Sequence, residues 1–176
     1  MSGWQGLALS LFRQVREEIT RMADLAGPEA FSGAAGDPAA NSPAWLVWHI
    51  ARGQDRNLSE IAGLPQVYVA DGWAERFGRP ADPADTGYGH TPAQAAAFRG
   101  PGAPDAALLT GYLEAVHARV EAYLAAAPAG DALRVAASPT LGTAQTVEAR
   151  VAGQLADSLA HLGQLGLLLG PPPVTP

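Results

Sequence analysis

The stretch from Thr146 to Gly170 constrains the fold most, because its pattern predicts one long helix. Thr146 suits the N-cap position, Glu148 lies in the first turn, and Gly170 is followed by a proline that ends the helix. The apolar residues nearly surround the helix axis, which predicts burial against several neighbouring elements. These residues are Val151, Leu155, Leu159, Leu162, Leu165, Leu167, Leu168 and Leu169.

One stripe of the same helix is polar. At about 100° per residue, its polar side chains fall within roughly a third of the circumference. They are Arg150, Gln154, Asp157, Ser158, His161 and Gln164. A solvent face usually carries Lys and Glu, and this helix has neither after Glu148. We therefore interpret the stripe as the lining of a polar pocket centred on Asp157 and His161, whose i, i+4 spacing points them the same way.

The composition predicts one folded domain and excludes several functions. The chain has 176 residues, 48% hydrophobic and 16% charged, so we assign residues 1–170 to a single domain and residues 171–176 to a frayed tail. The net charge of −6 argues against binding to nucleic acid or to anionic membrane surfaces. The absence of cysteine excludes disulfides, thiolate metal ligands and a cysteine nucleophile.

The sequence contains neither a predicted membrane span nor a recognisable signal peptide. No apolar run reaches about 18 residues. The apolar patch LALSLF near the N-terminus has no preceding Lys or Arg and no cleavage motif. We therefore expect a cytoplasmic protein.

Helical periodicity predicts three further long helices, and no segment is predicted as a strand. The helices cover residues 3–26, about 43–63 and about 104–127. The connections are irregular and cover residues 31–43, 66–103 and 128–145, with short helices predicted at 72–77 and 91–98. The expected fold is all-α: a four-helix bundle with a long irregular connection between helices 2 and 3.

Three side chains on two of these helices form a candidate metal site. His49 lies on the second helix, and Asp157 and His161 lie one turn apart on the last. Bundles build metal sites from inward side chains on facing helices, and three ligands leave positions open for water or substrate. The alternative is a hydrogen-bonded Asp–His pair that fills a core, which spacing alone favours because i, i+4 pairs are common in helices.

The segments WHIA in the second helix and DSLAHLGQL in the last resemble the DinB-like superfamily, to which mycothiol-dependent maleylpyruvate isomerases are related. The family pattern has a His early in an H-(I/L)-A stretch, which His49 matches, and an H-x-x-x-H-x-G-Q segment, which His161 to Gln164 match. GWAERFG and DTGYGH resemble the connecting loop of an actinobacterial branch, so the resemblance covers essentially the whole chain. It implies a four-helix bundle, often dimeric, that holds zinc or nickel through three His.

Asp157 departs from this pattern, because it stands where the family has the first His of the pair. Aspartate is a competent oxygen ligand for these metals, so a site of His49, Asp157 and His161 is chemically sensible. The resemblance implies a metal-dependent thiol transferase or isomerase, with hydrolysis as a second choice, acting on a small molecule such as a low-molecular-weight thiol. The alternative is a non-catalytic small-molecule-binding or stress-associated bundle protein with a degenerate metal site.

Other polar residues have weaker functional interpretations. His117 is expected to be a core or partly exposed histidine, and His90 either gates the pocket or caps the following helix. Arg52 and Asp55 are either surface charges or partners that orient a ligand, and Gln164 is a second candidate for that orienting role. No Ser-His-Asp arrangement and no glycine-rich nucleotide motif is found.

Two expectations concern surfaces. We expect residues 67–89 to cover the pocket mouth, since this segment carries four aromatic residues: Tyr68, Trp73, Phe77 and Tyr88. We also expect a two-fold homodimer, because the first and third helices carry apolar residues beyond one stripe. Those residues are Trp4, Leu9, Phe12, Leu108 and Tyr112.

Overall fold

Four long helices form the bundle in a computed structural model that describes residues 3–33 and 40–170. In chain order, the helices are α1 (Trp4–Leu25), α2 (Pro28–Ser32), α3 (Pro43–Ala62), α4 (Val67–Ala70), α5 (Trp73–Arg76), α6 (Pro92–Ala96), α7 (Ala106–Ala126) and α8 (Val147–Leu169). Short 3₁₀ helices cover Gly100–Gly102 and Ala129–Leu133. The predicted all-α bundle and its long connection between the second and third long helices are confirmed.

The long helices begin where side-chain caps are available. The Ser42 side chain accepts a hydrogen bond from the Trp45 backbone N–H at the start of α3, and Pro43 occupies the first turn. Asp105 caps α7 and Thr146 caps α8 in the same way. Each cap satisfies a backbone donor that the first helical turn leaves unpaired. The predicted helix starts are therefore confirmed to within a residue or two.

The prediction that no segment forms a strand is wrong for one hairpin. Strand β1 (Val135–Ser138) pairs antiparallel with β2 (Thr143–Thr146), with Val135 opposite Thr146 and Ser138 opposite Thr143. The strands are short and rich in Ala, Ser and Thr, so they lack the apolar alternation by which strands are recognised. Ala136 and Ser138 face inward, which places the hairpin against α3.

Helix α3 is the centre of the bundle. It packs against α7 on one side and α8 on the other, and α1 closes the opposite side against the same two helices. Nearly all of its 20 residues are buried, including polar ones such as His49, Arg52 and Asp55. Polar groups on α3 must therefore find partners inside the protein, which makes this helix the place to look for a site.

Helix α8 is less buried than its apolar pattern predicts. Leu155 and Leu165 are buried, but Leu159, Leu167 and Leu168 are exposed. The helix lies at the edge of the bundle, where only one face has neighbours to cover it. The expectation that apolar residues all round the axis would be buried is therefore wrong for this face.

Three of the residues behind the homodimer expectation have partners within the chain itself. Leu9, Phe12 and Tyr112 are all buried in the core, so they leave no surplus for a second copy. Homodimerisation stays a prediction, and of the five residues behind it only the half-buried Trp4 and Leu108 still support it.

Two predicted segments fall on residues outside the described ranges. The loop at 31–43 begins at the end of α2 and includes residues 34–39, and the frayed tail covers residues 171–176; neither of these two stretches is described. Within residues 3–33 and 40–170, no helix combines the length and apolarity needed to cross a bilayer.

Candidate metal centre

The structure brings His49, Asp157 and His161 together. One ligand atom from each of the three lies within 4.8 Å of the others. The Nε2 atom of His161 lies 3.4 Å from one oxygen of Asp157, and the Nε2 atom of His49 lies 3.7 Å from the other. Two donors that each lie about 2 Å from a shared zinc at tetrahedral angles are roughly 3.3 Å apart. The spacing therefore suits a single divalent ion.

Close packing of α3 on α8 places His49 opposite Asp157. Gly53, one turn after His49, has no side chain, and a Cβ there would come within 2.8 Å of the Gln154 amide. The Asn57 amide donates to Gln154 Oε1 at 2.6 Å and to the Gly53 carbonyl at 3.1 Å. The bare glycine and this amide pair allow the two helices to approach at the level of the site.

In both histidine rings, a nearby oxygen atom accepts a hydrogen bond from Nδ1 and so orients the ring. His49 Nδ1 lies 2.5 Å from the Thr86 carbonyl, and His161 Nδ1 lies 3.1 Å from Gln164 Oε1. Because an oxygen acceptor holds the proton on Nδ1, the lone pair is left on Nε2. In both rings that Nε2 atom faces Asp157. The role proposed for Gln164 from the sequence agrees with this contact.

Aromatic packing and a glycine turn fix the His49 ring. Trp45 stacks on it with ring centroids 4.7 Å apart and planes at 9°. Gly87, at φ +86°, passes so close that a Cβ would come within 2.9 Å of His49 Nδ1. Only glycine adopts this backbone conformation without strain, and only its small size leaves room for the ring.

The charges within the cluster attract one another. Burial raises the pKa of Asp157, but the two facing imidazole rings outweigh burial and lower it well below its usual range. The contact with Asp157 raises the pKa of His161, while burial opposes this. A metal cation would replace the protons on the ring Nε2 atoms, because it binds neutral imidazole and the same carboxylate.

A groove of about 320 Å³ opens beside the cluster. His49, Gly53 and Arg56 line it from α3, and Asp157 lies on the facing wall formed by α8. Thr86 and Tyr88 come from the long connection, and Ser138 and Leu141 come from the hairpin. Asp157 keeps 40% of its side chain exposed, so the cluster can be reached from solvent.

A larger groove of about 930 Å³ lies elsewhere. It follows the C-terminal ends of α3 and α7 and is lined mainly by apolar residues, together with Arg119, Tyr123 and Arg134. None of the predicted site residues lines it. Size alone does not indicate a functional site, so the smaller groove, which contains predicted site residues, is the better candidate.

The other residues that the sequence suggested as functional lie outside the candidate metal centre. His90 bridges Trp45 Nε1 and Asp85, while the cap of α6 is Thr91, so His90 neither caps that helix nor lines the groove. His117 is buried, 3% exposed. Arg52 and Asp55 are neither surface charges nor direct partners of the site histidines, because both are buried in a network of their own.

The expectation that residues 67–89 cover the pocket mouth holds only for the C-terminal end of that segment. Tyr68, Trp73 and Phe77 pack around Tyr112 of α7, on the side of α3 away from the candidate site. Thr86 and Tyr88 do line the groove, and Tyr88 is 83% exposed. The aromatic content indicated that the segment is packed but could not indicate on which side.

Sequence reasoning missed three residues that shape the site: Arg56, Thr86 and Gly87. Thr86 acts through its backbone carbonyl, which leaves no signal in residue type. Gly87 stood within the quoted DTGYGH segment, and Arg56 follows His49 by seven positions on the same helix face, so helical spacing could have found it.

Comparison with known proteins agrees with this architecture. The family model of the DinB superfamily matches residues 10–165. A crystal structure of a conserved protein from Enterococcus faecalis matches with a TM-score of 0.81, 22% identity and 96% of each chain covered. At that identity the likeness shows the fold alone. Among curated proteins, none matches this sequence.

Proposed function

This chain belongs to the DinB superfamily, and from that membership we propose that it is a divalent-metal-dependent enzyme whose metal is held by His49, Asp157 and His161. The observation that carries the proposal is the convergence of three ligand atoms within 4.8 Å beside an open groove. Two imidazole nitrogens and one carboxylate oxygen are ligands that zinc and nickel accept. We propose zinc or nickel as the native metal.

The residues present fit such an ion. Both Nε2 atoms face the carboxylate, and both Nδ1 atoms are already engaged by oxygens, as is usual around metal-bound histidines. The side chain of Asp157 is charged and partly exposed, so it can accept a cation without a large change in burial.

We assign the reaction class as thiol transfer or isomerisation of a small molecule, with hydrolysis as the second choice. A bound divalent metal supplies Lewis acidity, which lowers the pKa of a coordinated thiol or water. The chain's own contribution is positional: Thr86 and Gln164 hold the rings, and Trp45 packs the His49 ring in place. The groove of about 320 Å³ limits the substrate to a small molecule.

Metal analysis of purified protein tests the proposal. After growth in zinc- and nickel-replete medium, we expect about one metal per chain in the wild type and none in His161→Ala or His49→Ala, because two ligands do not hold the ion. Asp157→His should keep or strengthen binding. His117→Leu is the matched control, since that histidine is remote from the groove, and it should keep the wild-type content.

A wild type that takes up no metal under these conditions would contradict the proposal. So would an unchanged metal content in His161→Ala. Circular dichroism of each variant separates lost ligation from lost folding, because Asp157 and His161 are partly exposed and their replacement should leave the helical signal unchanged.

A further inference from the structure

Arg56 is a partly buried cation in the groove beside the candidate metal centre. It lies on the same face of α3 as His49 and Gly53, and it lines the groove together with them. Within residues 3–33 and 40–170 it makes no hydrogen bond or ion pair, and its Nε atom is buried without a partner. Every other arginine of the described chain has a hydrogen bond, ion pair or ring contact.

The nearby carboxylates, Glu60 and Asp157, form their ion pairs within the described chain with residues other than Arg56. Glu60 accepts from Arg150 at 2.5 Å, from the Ser138 hydroxyl at 2.7 Å and from the Thr140 hydroxyl at 2.7 Å. Asp157 lies between the two histidines. Burial lowers the pKa of Arg56, and Glu60 partly offsets this effect, but a guanidinium stays protonated in proteins. Within residues 3–33 and 40–170, the charge of Arg56 is therefore offset only by the longer-range attraction of Glu60 and Asp157, and no protein group pairs with it directly.

We propose that Arg56 binds the carboxylate of the substrate, so that the substrate of this groove is a small organic acid. The proposal rests on the function proposed above, because the reacting end of the acid would lie at His49, Asp157 and His161. A planar guanidinium binds a carboxylate through two parallel N–H donors, and partial desolvation strengthens that pair. The partly buried, uncommitted guanidinium of Arg56 has these properties.

The dimensions of the groove set the size of the acid. His49 and Arg56 are seven residues apart on α3, a rise of about 10 Å at 1.5 Å per residue. Both side chains line the same groove, so a ligand in it can reach both. An acid of a few carbon atoms therefore spans the two, which agrees with a volume of about 320 Å³.

The remaining groove wall contains one carboxylate, Asp157, which a bound metal ion would neutralise. The Asn57 amide and the Ser138 hydroxyl already donate to Gln154 and Glu60, so the charged partner for an anion is Arg56. Arg150 adds a second cation, but its charge is committed to Glu60. The protein as a whole carries a net charge of −6. The positive charge of Arg56 is therefore specific to this groove and does not reflect a general excess of arginine.

Calorimetric titration with succinate tests the assignment, with inorganic phosphate as the competing oxyanion. Zinc-loaded wild type, Arg56→Gln and Arg56→Lys are compared with Arg119→Gln, whose arginine lies in the other groove. We expect Arg56→Gln to weaken succinate binding at least tenfold, Arg56→Lys to weaken it less, and Arg119→Gln to match the wild type. The bound zinc of Arg56→Gln should equal that of the wild type.

Three outcomes would overturn the proposal: equal succinate affinity in wild type and Arg56→Gln, no succinate binding by the wild type, or tighter Arg56-dependent binding of phosphate than of succinate. Failure of the proposed function is recognised separately. If the wild type takes up no zinc, the same titration on zinc-free protein still decides whether Arg56 binds a carboxylate, because Arg56 does not contact the three candidate ligands.

Discussion

Two polar clusters flank α3, and they differ in how completely their groups are paired. Toward α7 lies the Asp55 cluster, made of Arg52, Asp55, Gln66 and Tyr112. Toward α8 lies the metal cluster of His49, Asp157 and His161. Both occupy the same central helix, within two turns of each other. They therefore show how one helix supports two different uses of buried charge.

The Asp55 cluster is closed. The Asp55 carboxylate accepts from the backbone N–H groups of Val67 and Tyr68 at 2.9 and 2.8 Å, from the Tyr112 hydroxyl at 2.8 Å and from Ser59 at 3.0 Å. Arg52 donates to Gln66 and to three carbonyls of residues 82–85. Paired in this way, buried charges anchor the long connection and leave nothing for a ligand.

The metal cluster is open. Its Nε2 atoms and carboxylate approach one another only to 3.4 and 3.7 Å, which is longer than a good hydrogen bond. It also borders the groove that contains Arg56, which makes no hydrogen bond or ion pair in the part of the chain that the structure describes. The contrast teaches that the pairing of a buried charge, rather than its burial, separates a structural cluster from a candidate ligand-binding one.

The largest expected effect tests the closed cluster. Asp55→Asn replaces one carboxylate oxygen by an NH₂ group, which cannot accept a hydrogen bond. The groups that donate to that oxygen lose their acceptor, and Arg52 loses the negative charge beside it. We expect a loss of about 3–5 kcal/mol in the free energy of unfolding, as for other broken buried ion pairs. Urea denaturation at pH 7 measures it.

The matched variant is Asp157→Asn in the open cluster. Its carboxylate is 40% exposed, so its loss should cost less than about 1 kcal/mol of stability while removing metal binding. Similar losses of stability in the two variants would contradict the distinction between the closed and open clusters.

The second prediction concerns the hydrogen bond between Gln164 and His161, which orients one ring of the metal cluster. Gln164→Ala removes the oxygen that holds His161 Nδ1 but keeps every candidate ligand. Zinc affinity should fall by about 10- to 100-fold, the usual effect of removing such a partner. Competition with a chromophoric chelator measures the affinity.

Gln145→Ala is the control, because that glutamine lines the same groove from β2 without contacting a histidine. Equal affinities in both variants would show that Gln164 does not orient His161.

Local signals in the sequence predicted the helices and much of the metal cluster. Caps such as Ser42 and Thr146 act within one turn, so residue type and spacing suffice to place them. Asp157 and His161 are fixed relative to each other by helix geometry alone. Bundle geometry suggested His49 as the third ligand, but helical spacing alone favoured a core Asp–His pair, and the family resemblance was needed to favour the metal site.

The rest depends on tertiary packing. Arg52 and Asp55 became a closed cluster because backbone groups of residues 67–68 and 82–85 lie against them, and a backbone carbonyl gives no sequence signal. Leu167 is 86% exposed although its hydropathy predicts burial, since no element within residues 3–33 and 40–170 covers that face. Exposure is decided by neighbours, not by residue type alone.

The smallest expected effect concerns His117, which belongs to neither cluster. It is buried, and within residues 3–33 and 40–170 neither ring nitrogen has a hydrogen-bond partner. Glu121 lies 4.0 Å away but is engaged by Arg13. Burial lowers the pKa of His117, and the charge of Arg16 adds to this effect. We expect His117→Leu to gain about 1 kcal/mol of stability at pH 7.5, because it removes two unpaired buried polar atoms.

The sign of the pH dependence follows from the lowered pKa. The unfolded chain takes up the His117 proton near the ordinary value of about 6.5, whereas the folded chain resists it. The contribution of His117 to wild-type stability therefore falls as the pH drops below about 6.5, and the advantage of His117→Leu should be larger at pH 5.5 than at pH 7.5. Urea denaturation of both proteins at the two pH values isolates this group, since all other titrations are shared. An advantage that stays constant or shrinks at pH 5.5 would mean that His117 finds a partner when it is protonated, as a member of a closed cluster would.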